Sequence, residues 1–331
     1  MSDLINKSIL HVPARDIPIP AHLSPPARSQ MAAGTLSNPP WPALDDIGAW
    51  RRLIESMDSM GLAGLSMMGQ HVKADVTPLD VNSVRVYSVR PSSAPDDGSV
   101  YLDIHGSALL WGGGPSCRAM GVISAAMMAA HVWAVDYRMP PDHPYPAALD
   151  DCVNAYKELL RERPADKIII GGASAGGNIA AATILRARDE GLPLPAAAVL
   201  LTPELDLTES GDSFNTLLGV DTALTSRLMP ANLLYAGGHD LNHPYLSPLF
   251  GDFTKGFPPT LLLSGTRDLF LSNTVRMHCA LRAANIDAQL YVLEAATHIG
   301  FMTGPESEAR TGEVRGFVNS YWRRDTSKTS V

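Results

Sequence analysis

Cysteine is scarce in this chain. Its three cysteines, Cys117, Cys152 and Cys279, are far apart and odd in number, which excludes a disulfide framework and offers no C-x-x-C spacing for a metal or a redox centre. They read as reduced packing residues. No apolar stretch reaches the roughly 18–20 residues that a membrane span needs. The first residues, Met1-Ser-Asp-Leu-Ile-Asn-Lys, show no charged-then-apolar leader, and together with the cysteines they make the cytoplasm the expected compartment. Basic residues are the minority: 26 Lys and Arg stand against 34 Asp and Glu, a formal net charge of −8. That balance provides no electrostatic footprint for nucleic acid or an anionic membrane surface, so neither is an expected partner. Metal patterns are missing as well. His239 and His243 are four residues apart, but Gly237-Gly238 and Pro244 interrupt the helix that such a site would use. Gly112-Gly113-Gly114 has neither the lysine of a P-loop nor the Rossmann spacing of a phosphate cradle.

What is present is a globular composition, 45% hydrophobic and 18% charged over 331 residues, enough to bury a large core and carry an accessory lid. The first 45 or so residues are proline-rich and irregular. Ile47, Trp50, Leu53 and Ile54 then give helical spacing from Asp45 to about Met60. Val84–Val89 alternates as a strand, and Pro91–Gly98 is a turn region. From there strands and helices take turns. Strands are predicted at Val100–Ile104, Val132–Asp136, Lys167–Gly171, Ala197–Leu201, Thr260–Ser264 and Gln289–Leu293. Helices are predicted at Arg118–Ala130, Ala147–Glu162, Gly177–Asp189, Asn273–Ala284 and Glu306–Trp322. Such alternation implies an α/β fold, a mostly parallel sheet with helices on both faces. Between Pro203 and Phe257 the alternation stops, and loops with apolar Leu217, Leu224 and Leu228 suggest a lid over a site.

The most informative stretch runs Lys167-Ile-Ile-Ile-Gly-Gly-Ala-Ser-Ala-Gly-Gly. A β-branched run enters Gly172-Ala173-Ser174-Ala175-Gly176, and an alanine-rich helix leaves it. This is the strand–turn–helix setting of a G-x-S-x-G nucleophile elbow. Small neighbours allow the strained backbone that presents the serine, and the helix N-terminus faces developing negative charge. A nucleophilic serine needs a base and an orienting carboxylate, in the chain order Ser, Asp or Glu, His. Asp268, in Leu261-Leu-Leu-Ser-Gly-Thr-Arg-Asp, and His298, in Leu293-Glu-Ala-Ala-Thr-His, each follow a buried strand at its C-terminal end, where open α/β sheets place their sites. Asp240 and Glu294 lack that position. His105-Gly106-Ser107-Ala108 follows the Val100–Ile104 strand, where backbone N–H groups of Gly106 and Ser107, with that of Ala175, can form an oxyanion hole.

Four segments in order carry a family resemblance: His105–Ala108, Asp136-Tyr-Arg-Met-Pro-Pro-Asp-His-Pro-Tyr-Pro-Ala-Ala-Leu-Asp, Gly172–Gly177, and the Asp268 and His298 segments. From Val84 onward the chain resembles the bacterial hormone-sensitive-lipase-like esterases, an α/β-hydrolase family. The resemblance implies an eight-stranded sheet with a helical cap, and no cofactor. The cap would be built from residues 1–60 and a second segment at about 204–256, with 61–331 as the catalytic domain. It implies a serine carboxylic-ester hydrolase acting on short-to-medium acyl esters or lactones through an acyl-enzyme intermediate, a small-molecule ester as its partner and a homodimer as an open possibility. His105 would organise the oxyanion loop. Three positions depart from the family pattern. Ser107 and Ala108 replace two glycines of His-Gly-Gly-Gly, Ala173 stands where Asp or Thr precedes the serine, and Ser272-Asn273 stand where a second acid follows the triad aspartate.

A side chain at Ser107 is tolerable if it points away from the acyl oxygen, whereas Gly106 has no such latitude if the chain turns there with positive φ. Two other functions stay open on residues alone: a serine peptidase or amidase, and a non-catalytic ligand receptor on the same fold. The second is at odds with the presence of both Ser174 and His298, and an aryl-ester assay separates it from the enzymes.

Overall fold

A computed structural model describes residues 10–36 and 39–322. Its frame is one eight-stranded sheet in the order β1-β2-β4-β3-β5-β6-β7-β8. The strands are β1 (Ala74–Val81), β2 (Val84–Pro91), β3 (Val100–Ile104), β4 (Val132–Asp136), β5 (Ile168–Ala173), β6 (Ala197–Leu201), β7 (Thr260–Gly265) and β8 (Ala288–Leu293). β1 and β2 pair antiparallel, and β2 lies antiparallel to β4; the remaining pairs are parallel. The central strands β3, β4 and β5 are buried almost throughout, which is why Ile168-Ile169-Ile170 reads as a continuous apolar run rather than an alternation.

Helices cover both faces. On one face, α4 (Ala147–Glu162), α5 (Ala175–Asp189) and α8 (Leu271–Ala283) pack Cys152, Tyr156, Ile179 and Met277 against Leu102, Ile104 and Ile170. On the other, α3 (Pro115–Met128) and α9 (Pro305–Tyr321) set Cys117, Met128, Phe317 and Val318 against Tyr101, Ile169 and Val199. Cys117 and Cys152 are therefore core residues as expected, but Cys279 is exposed on α8 and packs into neither face.

Besides the edge strand β1, which the sequence pattern does not predict, two helices differ from the sequence expectation. The irregular N-terminal region contains a short helix, α1 (Pro25–Ala32), capped by Ser24, whose hydroxyl also donates to Glu306 on α9. The next helix, α2 (Ile47–Gly69), begins at Asp46, which accepts the Ala49 N–H, and runs unbroken past residue 60. A boundary at residue 60 would thus fall inside a helix. In the interval after β6 the described chain forms loops and short helices, among them α6 (Ser213–Thr216) and α7 (Met229–Ala236). This interval meets the N-terminal region directly: Trp41 Nε1 donates to Arg227 O at 3.0 Å and Leu36 N to Thr222 O at 2.8 Å.

Candidate active site

The elbow forms because its glycines leave room for backbone. A Cβ on Gly172 or Gly176 would collide with the Ile104 carbonyl, and one on Gly177 would come within 2.7 Å of Pro203. Helix α5 therefore starts flush against β3. Ser174 sits at the turn with φ 57° and ψ −123°, a conformation that costs of order 1–3 kcal/mol and persists only when its surroundings fix it. They do so here: Ser174 N donates to Leu201 O, while Ser174 O accepts from Gly177 N and Glu204 N.

The structure brings the three residues singled out from the sequence into one chain of hydrogen bonds. Ser174 Oγ lies 2.9 Å from His298 Nε2, and His298 Nδ1 lies 3.0 Å from Asp268 Oδ1. A carboxylate only accepts, so Nδ1 carries the proton and Nε2 faces the serine as an acceptor. Asp268 is fully buried and is held by Ser264 Oγ at 2.6 Å and the Phe270 N–H at 3.0 Å. Burial favours the neutral imidazole. The Asp268 carboxylate, by charge and hydrogen bond, and the Asp221 carboxylate outweigh it, leaving the His298 pKa above the usual 6.5. Asp240 and Glu294 are exposed and lie outside this constellation.

Asp221 was not anticipated. Its buried carboxylate accepts backbone N–H groups from Ala223, Leu224 and Leu269, and also from His298 at 3.2 Å. One side chain of the post-β6 interval thus fastens both the loop after Asp268 and the loop holding His298. Its neighbours are backbone donors supplied by sequence-distant loops, so no local motif announces it. At the position of the missing second acid, Ser272 and Ser213 exchange bonds instead: each hydroxyl accepts the other's backbone N–H, and Ser213 Oγ donates to Leu269 O.

The His105–Ala108 loop abuts the elbow. A Cβ on Gly106 would stand 2.8 Å from Ala173 O and 3.4 Å from Ser174 Cβ. This close approach is what requires glycine there. The left-handed turn instead falls on the next three residues, Ser107 (φ 90°), Ala108 (φ 52°) and Leu109 (φ 65°), so the expectation of a positive φ at Gly106 moves one residue on. The two glycine replacements carry the strain that glycine would avoid. His105 is buried beneath the loop. Its Nδ1–H donates to Gly106 O at 2.9 Å, its ring stacks on Tyr137 at 4.1 Å, and Tyr137 Oη donates to His105 O. Burial lowers its pKa to about 4, which keeps it neutral at neutral pH. Asp136 and Asp58 hold the next turn by accepting the Gly114 and Gly112 N–H groups. The long Asp136–Asp150 segment is closed by Arg138, which donates to the adjoining Asp151.

The chain matches the alpha/beta hydrolase fold family over residues 101–303. It is 36% identical over 220 residues to an acetyl-hydrolase of Streptomyces hygroscopicus, covering 66% of this chain and 69% of that protein. To an esterase of Acinetobacter venetianus it is 31% identical over 211 residues, 62% and 68% of the two chains. In three dimensions it is similar to the crystal structure of esterase E25, with TM-score 0.85 and 32% identity over 94% of this chain and 98% of that one. An esterase described as from the bacterial hormone-sensitive lipase family gives TM-score 0.75 and 30% identity, over 91% and 99% of the chains. The chain belongs to the bacterial hormone-sensitive-lipase-like esterases of the α/β-hydrolase fold. Its reaction class is carboxylic-ester hydrolysis.

A cavity of about 460 Å³ opens at Ser174 and His298 and is walled by Gly106, Trp111, Leu224 and Leu228, so the post-β6 interval does line the site. Among the described residues there is no His/Cys/Asp/Glu group suited to a metal, and no helix is long and apolar enough to cross a membrane.

Proposed function

We propose that Ser174 is the nucleophile of this esterase, His298 its general base and acid, and Asp268 the carboxylate that orients the imidazole. The observation that carries this is the unbroken Ser174–His298–Asp268 chain at 2.9 and 3.0 Å on an elbow whose backbone is already strained. Ser174 Oγ attacks the ester carbonyl carbon as its proton passes to His298 Nε2. The resulting imidazolium is stabilised by the Asp268 carboxylate and returns the proton to the departing alkoxide, leaving an acyl-Ser174 ester. Water then attacks that ester, giving its proton to His298, and the acid leaves as Ser174 recovers its hydrogen.

The oxyanion that forms in each half would be held by backbone N–H groups of Gly106, Ser107 and Ala175. Support comes from the packing of Gly106 against the elbow and from the place of Ala175 at the first position of α5, where N–H groups have no partner within the helix. His105 would keep the loop in place through Gly106 O.

The cap in this reading consists of the N-terminal region through α2 and the interval at about 204–256. With Trp111, Leu224 and Leu228 on its walls, the cavity suits small-molecule esters with short-to-medium acyl groups, lactones included. A cytoplasmic location and a homodimer are compatible with this reading and are tested by fractionation and by sedimentation. The reading itself is tested by rapid mixing with p-nitrophenyl butyrate: a burst of p-nitrophenol matching the enzyme concentration, absent in Ser174→Ala, is the expected result. Turnover by that variant at near wild-type rate would refute it.

A further inference from the structure

The catalytic cavity does not end at the oxyanion loop. It continues on the α3–α9 side of the sheet, past Met68, Met120, Ile123 and Met127, and is bounded by Ile299, Met302 and Arg310. Its surface is otherwise dominated by apolar side chains, so an arginine there stands out. Arg310 lies on the second turn of α9 and points back to the His298 loop. Its Nη1 occupies the space in front of Gly300, 2.8 Å from where a Cβ would be. Gly300 is two residues past His298 and has φ 66°; a side chain there would be strained and would displace the guanidinium. Among the described residues no carboxylate lies within ion-pair distance of Arg310, and its buried Nε has no hydrogen-bond partner. Burial alone pulls its pKa down, with no neighbouring charge opposing it. A guanidinium partly withdrawn from water without a counter-charge is costly, and such groups are ordinarily paired.

The other ionisable wall group is Asp103 on β3, hydrogen-bonded to Ser124 of α3; burial brings its pKa to about 7. It is neither paired with Arg310 nor fully charged at neutral pH. His105, His298 and Tyr101 are the remaining titratable groups on the cavity wall; His298 is engaged with Ser174 and Asp268, and burial pushes the Tyr101 hydroxyl up, which keeps it neutral.

We propose that Arg310 is a specificity residue that receives a carboxylate borne by the substrate, so that this esterase favours esters in which one half carries an anionic group. The inference rests on the esterase reading and goes beyond it by naming the substrate class. A planar guanidinium matches a carboxylate in a two-point contact. The apolar walls leading to it would take up the intervening methylene groups. The carboxylate could belong to the acyl half or to the alcohol half, and paired substrates tell these apart.

The first pair is p-nitrophenyl hydrogen suberate against its methyl-capped ester. The second is 4-(butyryloxy)benzoate against its methyl ester. In at least one pair, wild-type kcat/KM should be higher for the anionic member, and the pair that shows it identifies the half that carries the charge. Arg310→Met should lower kcat/KM for that anionic substrate about 10–100-fold, mainly through KM, as loss of a hydrogen bond to a charged group does. Its kcat/KM on the neutral partner should fall far less, and turnover of that partner also shows that the variant is folded. Arg310→Lys should keep most of the preference. An equal loss on both members of the pair, or no wild-type preference in either pair, overturns the inference while leaving the esterase reading intact. Failure of wild type to cleave any of the four esters would overturn that reading as well.

Discussion

Asp221→Asn is the most instructive single change, because Asp221 touches neither substrate nor Ser174. Its two oxygens accept four backbone N–H groups, at 2.8 Å from Leu269, 2.9 Å from Ala223, and 3.2 Å from Leu224 and from His298. Asparagine has nearly the same shape, but one of its two acceptors becomes an NH₂ that must face these donors. At least one charge-assisted bond is lost, about 1.5–3 kcal/mol, with a further buried N–H left unsatisfied. A stability loss of about 2–5 kcal/mol follows, read as a lower urea midpoint at unchanged slope. The kinetic consequence is separate. The His298 loop loses its anchor, and a displacement of about 1 Å at a reacting group costs roughly 10²-fold in kcat. The Asp221 charge also helps to hold the His298 pKa above 6.5, so removing it moves the acidic limb of the kcat/KM profile to lower pH. The pH profile on a neutral aryl ester separates this from simple loosening, which has no reason to move the midpoint in that direction. An unchanged or raised midpoint with near wild-type kcat would refute the role given to Asp221.

As the proposed general base, His298 must be neutral in the wild type to accept the serine proton. Because its pKa is raised, kcat/KM should be full at alkaline pH and fall with a midpoint above 6.5 as pH is lowered; a midpoint below 6 would contradict this (a threshold set from the ordinary histidine range). Asp268→Asn should reduce kcat about 10⁴-fold by leaving the imidazole in the wrong tautomer, measured as initial rates on an aryl ester. Ser107→Gly relieves a positive φ and should keep kcat within about tenfold of wild type with an equal or higher Tm, whereas Gly106→Val drives a side chain into Ala173 O and should cost roughly 10²–10³-fold in kcat. Glu204 is fully buried, and burial outweighs a contact from Asn232 to raise its pKa from 4.5 to about 8. The native state then holds a proton that the unfolded chain releases, so stability from this group declines as pH rises from about 4.5 towards 8. Glu204→Gln should remove that decline, with a Tm advantage at pH 8 larger than at pH 5.

The elbow was legible because it is local: strand, turn and helix lie within about twenty consecutive residues, and steric demand alone dictates the glycines. Asp268 and His298 were legible through order and position, each following a buried parallel strand. Ala147–Glu162 was placed to the residue, since its apolar positions recur with helical period and face one core. β1 escaped notice because it is an edge strand that buries little, with Asp75, Pro78 and Asp80 along it, a composition natural to an edge and uninformative as a pattern. α1 is an eight-residue helix with two leading prolines, fixed from afar by Glu306 on Ser24 and by Gln30, which bonds Gly300 O and the Met302 N–H. Asp221 and Arg310 share the same obstacle. Each reads in sequence as an ordinary polar residue, and only the tertiary fold shows one bonded to the His298 loop and the other facing the cavity without a partner among the described residues.

The central claim is that Ser174 alone carries the acyl group. Inactivation with an aryl alkylphosphonate, followed by peptide mass spectrometry of the intact wild-type protein, tests it most directly. One adduct per chain, on Ser174, with activity lost in proportion to labelling, is the predicted result. An adduct on another serine, or full labelling of the Ser174→Ala variant, would contradict the account.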